Sequence, residues 1–168
     1  MLSIYKNKVL QGGSLSRAEA MQLLTADLQE LCTAADQIRA YFCKEQVDLC
    51  CIINGKSGSC SENCRYCAQS AHYPGTSLQH ELLSKETILQ DALCRQREGI
   101  QRYSIVTSGR RLCKEEVEKL VQVYRQLSEQ TTLSLCASCG LLDREDFLKL
   151  KAAGVTRYHN NLETSRSF

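Results

Sequence analysis

Three cysteines, Cys60, Cys64 and Cys67, carry the strongest chemical signal in this chain of 168 residues. They read Cys60-Ser-Glu-Asn-Cys64-Arg-Tyr-Cys67, a C-x3-C-x2-C spacing inside a stretch rich in Gly and Ser. Thiolates are soft ligands suited to zinc and to iron–sulfur clusters. Structural zinc wants four ligands and favours paired C-x2-C units, often with His. A closed 4Fe–4S cube takes four cysteines. Three on one short loop can hold three corners and leave the fourth iron open to a ligand that is not protein. The iron–sulfur reading therefore predicts a centre that does chemistry rather than one that only carries electrons. A zinc site and a set of reduced structural thiols stand as the plainer alternatives.

The remaining cysteines fall into groups. The chain has eleven in all, and its first residues, MLSIYKNKVLQGG, show neither an apolar core nor a small-residue cleavage site. Many cysteines without a secretion signal argue for a reducing compartment, here the cytoplasm, and against a disulfide scaffold. Cys50 and Cys51 lie in the apolar run 47–53 and read as buried small hydrophobes, as do Cys32, Cys43, Cys94 and Cys113 beside helical patterns. Cys136 and Cys139 are either ligands of a second site or reduced thiols. The turn Thr107-Ser-Gly-Arg-Arg111 carries two cations, and its plain reading is a solvated loop. A formal charge of +2 gives no argument for nucleic acid or a membrane surface as partner, and no apolar run approaches the ~20 residues of a membrane span.

The triad with Tyr66 just before its last cysteine resembles the signature of the radical S-adenosylmethionine (SAM) enzymes. The flanks Val47-Asp-Leu-Cys-Cys-Ile-Ile-Asn-Gly-Lys-Ser-Gly-Ser-Cys60 and Cys67-Ala-Gln-Ser-Ala-His-Tyr73, with the later Tyr158-His-Asn-Asn-Leu-Glu-Thr-Ser165, are similar to the biotin synthase family within it, over residues 16–168. The resemblance implies a 4Fe–4S cluster on Cys60, Cys64 and Cys67, with S-adenosylmethionine on the open iron. It implies conversion of dethiobiotin to biotin by sulfur insertion, started by a 5′-deoxyadenosyl radical. Tyr66 would meet the adenine through its backbone, against a plain reading as loop packing. Glu163 would accept hydrogen bonds from the ribose, Asn161 would contact the ureido ring of dethiobiotin, and His159 and Asn160 would share that mouth. The resemblance also implies an auxiliary 2Fe–2S cluster. Arg102-Tyr-Ser104 stands where the family has Arg-Phe-Cys, so Ser104 replaces the usual ligand, while Cys136 matches the next one. Serine is a harder ligand than cysteine, which puts that cluster in doubt, and Cys139 offers a substitute. An electron donor such as flavodoxin or ferredoxin is implied, and a homodimer is left open. Related maturases and mutases are the alternative within the superfamily, and Ala68-Gln-Ser70 and Asn-Leu-Glu-Thr164 speak against them.

The elements that must position these residues follow from periodicity and caps. Ser16-Arg-Ala-Glu19 is a capping box opening a helix, and Leu28, Leu31, Ala35, Ile38 and Phe42 recur at helical spacing. Residues 1–13 show no period and read as an irregular lead-in, so 1–45 form a helical extension. The run 47–53 reads as a strand buried on both faces, with the cysteine loop leaving its carboxyl end and Pro74-Gly75 closing that loop. Helices capped by Ser84 and Asp143, and another over 114–129, alternate with strands at 102–107, 132–136 and 155–159. Gly99-Ile-Gln-Arg-Tyr103 and Gly154-Val-Thr-Arg-Tyr158 repeat across two such units. This alternation predicts an α/β fold with a parallel sheet. Four strands make about half of a (β/α) barrel of roughly 250 residues, so 46–168 read as the N-terminal half of one, in a chain that looks truncated.

Overall fold

The computed structural model describes residues 1–73, 78–162 and 165–167, in two units, Met1–Val47 and Asp48–Phe168. The first unit is helical: α1 (Leu2–Leu10), α2 (Arg17–Leu23) and α3 (Leu28–Cys43). The lead-in is therefore a helix where the sequence predicts irregular chain. Nothing local announces α1, because it has no side-chain cap and buries no residue. Polar reach holds it instead. Tyr5 donates to Gln22 Oε1 at 2.6 Å, Lys6 to Gln37 Oε1 at 2.7 Å, and Lys8 pairs with Glu19 at 2.8 Å. The predicted capping box is present: Glu19 N–H donates to Ser16 Oγ at 3.3 Å, and Ser16 N–H to Glu19 Oε2 at 2.7 Å. Lys8 and these bonds hold the Glu19 carboxyl down at about 2.

The second unit is a parallel sheet of four strands in the order β1-β2-β3-β4. The strands are β1 (Cys50–Lys56), β2 (Arg102–Thr107), β3 (Ser134–Ser138) and β4 (Val155–Tyr158), linked by α4 (Lys85–Arg97), α5 (Lys114–Gln130) and α6 (Arg144–Ala152). The caps read from the sequence close: Thr87 N–H donates to Ser84 Oγ and Asp146 N–H to Asp143 Oδ1. Gly99 and Gly154 take positive φ just beyond α4 and α6, the left-handed exit that glycine adopts without strain.

Alternation along the strands separates two faces. Tyr103, Ile105, Leu135 and Ala137 point toward the helices and pack with Ile88, Leu120, Tyr124, Leu127 and Leu150 in one buried cluster. Cys50, Ile52 and Asn54 of β1 lie beside Arg102, Ser104 and Val106 of β2, which lie beside Ser134, Cys136 and Ser138 of β3. The helices of this unit, α4, α5 and α6, pack on the first face. The expectation of a first strand at 47–53 buried on both faces is thus corrected. The ladder starts at Cys50, because its partner starts at Arg102. Ile52 on the open face is 65 % exposed. The third strand likewise begins two residues later than predicted, since Thr132 gives its N–H to Gln96 Oε1 of α4 at 2.7 Å.

Candidate metal centre

The carboxyl end of β1 runs directly into the cysteine loop. Ser57 and His80 exchange backbone bonds at 3.1 and 3.0 Å, so the chain leaves the sheet and returns to it at one point. Within the loop, Cys60 N–H donates to Gln69 O at 3.0 Å, and Cys60 O accepts from Ala71 N–H at 2.8 Å. Cys64-Arg-Tyr-Cys67 is a tight turn closed by Cys67 N–H to Cys64 O at 3.0 Å, and Ser70 N–H continues it to Cys67 O at 3.2 Å. The three cysteines are therefore on one self-bonded ring of backbone, and all three are partly exposed. Among the described residues no three His, Cys, Asp or Glu side chains converge as a single ion would require. A cube needs a different arrangement, in which each thiolate takes its own corner iron. The donor set, one loop with three accessible sulfurs at the mouth of parallel strands, fits such a cluster.

The other predicted site residues divide by location. Tyr66 sits in the Cys64–Cys67 turn and is 72 % exposed. His159 gives its N–H to Ala137 O at 2.8 Å, and with Asn160 and Asn161 it is exposed beyond β4. Glu163 and the Pro74-Gly75 turn lie outside the described residues. Ser104 and Cys136 are direct register partners on adjacent strands, so the structure brings them together on the second face, where Cys136 is itself buried. Cys139 does not join them. It lies in the apolar cluster under the helices with no measurable exposure, and burial pushes its thiol up to about 11. A sulfur there is packed as a hydrophobe and faces away from Cys136.

Two further residues, to which sequence reasoning assigned no part in a site, belong to this face. Arg102 Nη1 lies 3.8 Å from Cys136 Sγ, and Arg102 Nη2 lies 3.2 Å from Asp48. These two partners raise the guanidinium pKa. The Arg-Tyr repeat at the strand starts was the available signal, since an arginine alternating with a core tyrosine must face the other side. Cys50 is the second. It pairs with Arg102 and is exposed, so its reading as a buried hydrophobe is corrected by strand alternation. Cys32, Cys43 and Cys113 are exposed as well, whereas Cys51 and Cys94 are partly buried.

The turn after β2 is engaged with its neighbours as well as solvated. Arg110 approaches Glu62 of the cysteine loop at 3.6 Å. Lys114 bonds Asp143 at 2.6 Å and the buried Asp146 at 2.9 Å, and holds the Asp143 carboxyl down at about 2. Arg111 and Gly140 form a backbone bridge, and a Cβ on Gly140 would collide with Arg110 O. An open cleft of about 660 Å³ between this turn and the cysteine loop is lined by Ser57, Gly58, His80, Arg110 and Arg111 among others.

Comparison with known proteins adds to this geometry. The family described as the Radical SAM superfamily matches residues 56–168. A biotin synthase of Akkermansia muciniphila is 55 % identical over 160 residues, which are 95 % of this chain and 50 % of that protein. One from Clostridium botulinum is 48 % identical over 164 residues, covering 98 % and 52 %. One from Brachyspira hyodysenteriae is 47 % identical over 163 residues, covering 97 % and 49 %. The chain thus spans about half the length of the curated relatives it matches. Among solved structures, the FeFe-hydrogenase maturase HydG from Carboxydothermus hydrogenoformans superposes with a TM-score of 0.70 at 18 % identity, over 94 % of this chain and 37 % of that one. That likeness speaks for the fold alone, a part of a (β/α) barrel.

Proposed function

This chain belongs to the radical SAM superfamily, and on that premise we propose that it is the cluster-bearing part of a sulfur-insertion enzyme like biotin synthase, converting dethiobiotin to biotin. Membership implies a 4Fe–4S cluster and S-adenosylmethionine. When bound, they supply a 5′-deoxyadenosyl radical that takes hydrogen from an unactivated carbon. The single observation that carries the reading is the ring of backbone bonds that holds Cys60, Cys64 and Cys67 in one partly exposed loop at the carboxyl end of β1.

The chain's own residues would divide the work by position. The three thiolates hold the cluster. Tyr66, inside their turn, would present its backbone to the adenine. Asn161, past β4, would donate to and accept from the ureido group of the substrate, and Glu163 would bind the ribose hydroxyls. Cys136 and Ser104, side by side with Arg102, would hold one edge of an auxiliary cluster. An electron donor of the flavodoxin or ferredoxin kind, a cytoplasmic location and a homodimer complete the reading.

The exposed Ile52 on the second face favours a second reading, in which these residues bind a cluster or zinc without turnover. Anaerobic reconstitution with iron and sulfide, followed by electron paramagnetic resonance of the reduced protein, tests both. A 4Fe–4S signal that changes on adding S-adenosylmethionine supports an open iron. A signal indifferent to the cofactor, or zinc uptake without a cluster, supports the second reading, and uptake of neither metal overturns both.

A further inference from the structure

The stretch Gln69-Ser70 marks the family resemblance but has no role in the chemistry above, and the structure gives it one. Gln69 Oε1 accepts from Gly58 N–H at 2.9 Å and from Ser57 Oγ at 3.3 Å, across the neck of the cysteine loop. Its own backbone oxygen accepts from Cys60 N–H at 3.0 Å. From the opposite side Ser108, at the end of β2, donates its hydroxyl to Gly58 O at 2.8 Å, in a buried bond. Ser70 Oγ then donates to Glu62 O at 2.7 Å inside the ring. Gly58 itself has φ +80, and a Cβ there would collide with the Gln79 side chain. Both the N–H and the C=O of this one glycine are thus held by side chains that come from the loop's far end and from the end of the neighbouring strand.

We propose that Gln69 and Ser108 are positioning residues that clamp Gly58, so that the cysteine ring is set before any cluster arrives. The inference rests on the cluster reading for its purpose but not for its geometry. A loop bonded only to itself would swing about its neck. The Ser108 bond on Gly58 ties that neck to the end of β2, the Gln69 bond closes the ring onto it, and the third, on Cys60, passes the fixed orientation to the first cysteine. Preorganisation of this kind lowers the ordering cost of binding.

The test uses the full chain with Gln69→Leu, Gln69→Glu and Ser108→Ala. Amide hydrogen exchange on the cluster-free protein is read at Gly58 and Cys60, with Ile105 and Leu135 as sheet controls. Gln69→Leu is expected to speed exchange at Gly58 and Cys60 about fivefold while the controls stay unchanged. Gln69→Glu keeps an acceptor oxygen and is expected to restore protection, and Ser108→Ala is expected to act like Gln69→Leu. Uptake of iron and sulfide should fall by a similar factor in Gln69→Leu. Unchanged exchange at Gly58, or equal loss of protection at Ile105 and Leu135, overturns the clamp. Failure of the unaltered chain to take up a cluster sinks the reading of the site, while the exchange data still decide the clamp.

Discussion

The two faces of the sheet obey the same alternation but meet opposite fates. Tyr103, Ile105, Leu135 and Ala137 vanish under α4, α5 and α6, each at most 2 % exposed. One residue away along the same strands stand Arg102, Ser104, Val106 and Cys136, on the face turned away from α4, α5 and α6. The first face is apolar and closes a core. The second is mixed, with a cation, a hydroxyl and thiols, and it opens toward the mouth where the cysteine loop begins. Burial energy and site chemistry are thus assigned to alternate residues. A change at one residue should disturb one property and spare the other.

The largest effect expected is also the cleanest separation. Replacing Cys60, Cys64 or Cys67 by Ala should abolish the reduced-cluster signal after reconstitution. The melting temperature of the cluster-free protein should move by no more than a degree or two, because these sulfurs stand in the loop and are not part of the core cluster. A melting temperature that falls with the cluster would show that loop and core are one unit and break the comparison. Next comes truncation within the sheet. Ile105→Ala on the covered face should cost about 2–5 kcal/mol in denaturant unfolding, through lost transfer energy and a cavity. Ile52→Ala on the open face should cost less than about 1 kcal/mol. Equal costs would mean that something covers the open face in solution.

How much of this was legible depends on whether the cause is local. Caps at Ser84 and Asp143 are local, and both close as the sequence implies. The triad is legible because its three cysteines lie within eight residues of one loop. The helix α1 is not, because its bonds run to Gln22 and Gln37 on other helices and leave no apolar period behind. The start of β1 was misread for a related reason: hydrophobicity begins at Val47, but a parallel ladder begins where its partner does, at Arg102. The approach of Arg102 to Cys136 depends on register between strands remote in sequence, which no single-strand pattern contains. The separation of Cys139 from Cys136 was not readable, because Cys139 lies just past the end of β3, where strand alternation no longer dictates a face.

That pair of faces gives a pH-dependent prediction of intermediate size. Burial raises the Cys139 thiol to about 11, so the folded protein favours the neutral form more than the unfolded chain does. Its contribution is complete below the ordinary thiol range and is lost as pH rises through about 11, with a ceiling of about 3 kcal/mol. Urea melts of wild type should lose stability between about pH 9 and 11 in part through this group, and Cys139→Ala should flatten that fall. Alkylation provides the contrast. Exposed Cys50 should react with iodoacetamide in the native state, while Cys139 should stay protected until the chain unfolds.

The smallest effect lies at the rim, where the turn after β2 meets the start of α6. Lys114 bonds Asp143 at 2.6 Å and, with the Asp146 N–H and Arg111, holds that carboxyl down at about 2. A depressed carboxyl stabilises the fold above its unfolded value. The contribution is then lost as pH falls through about 2. Asp143 is well exposed, so screening keeps the effect small and salt should weaken it further. Lys114→Met should therefore raise the Asp143 titration midpoint, followed by carboxyl NMR, back toward the ordinary range. Because Lys114 also pairs with the buried Asp146, the variant should lower the melting temperature at neutral pH by more than the Asp143 pair alone would, with Ile105 exchange unchanged. If the same variant instead slowed cluster uptake as strongly as a change in the triad, the rim would belong to the site, and the division between the two faces would have to be redrawn to include the loops that join them.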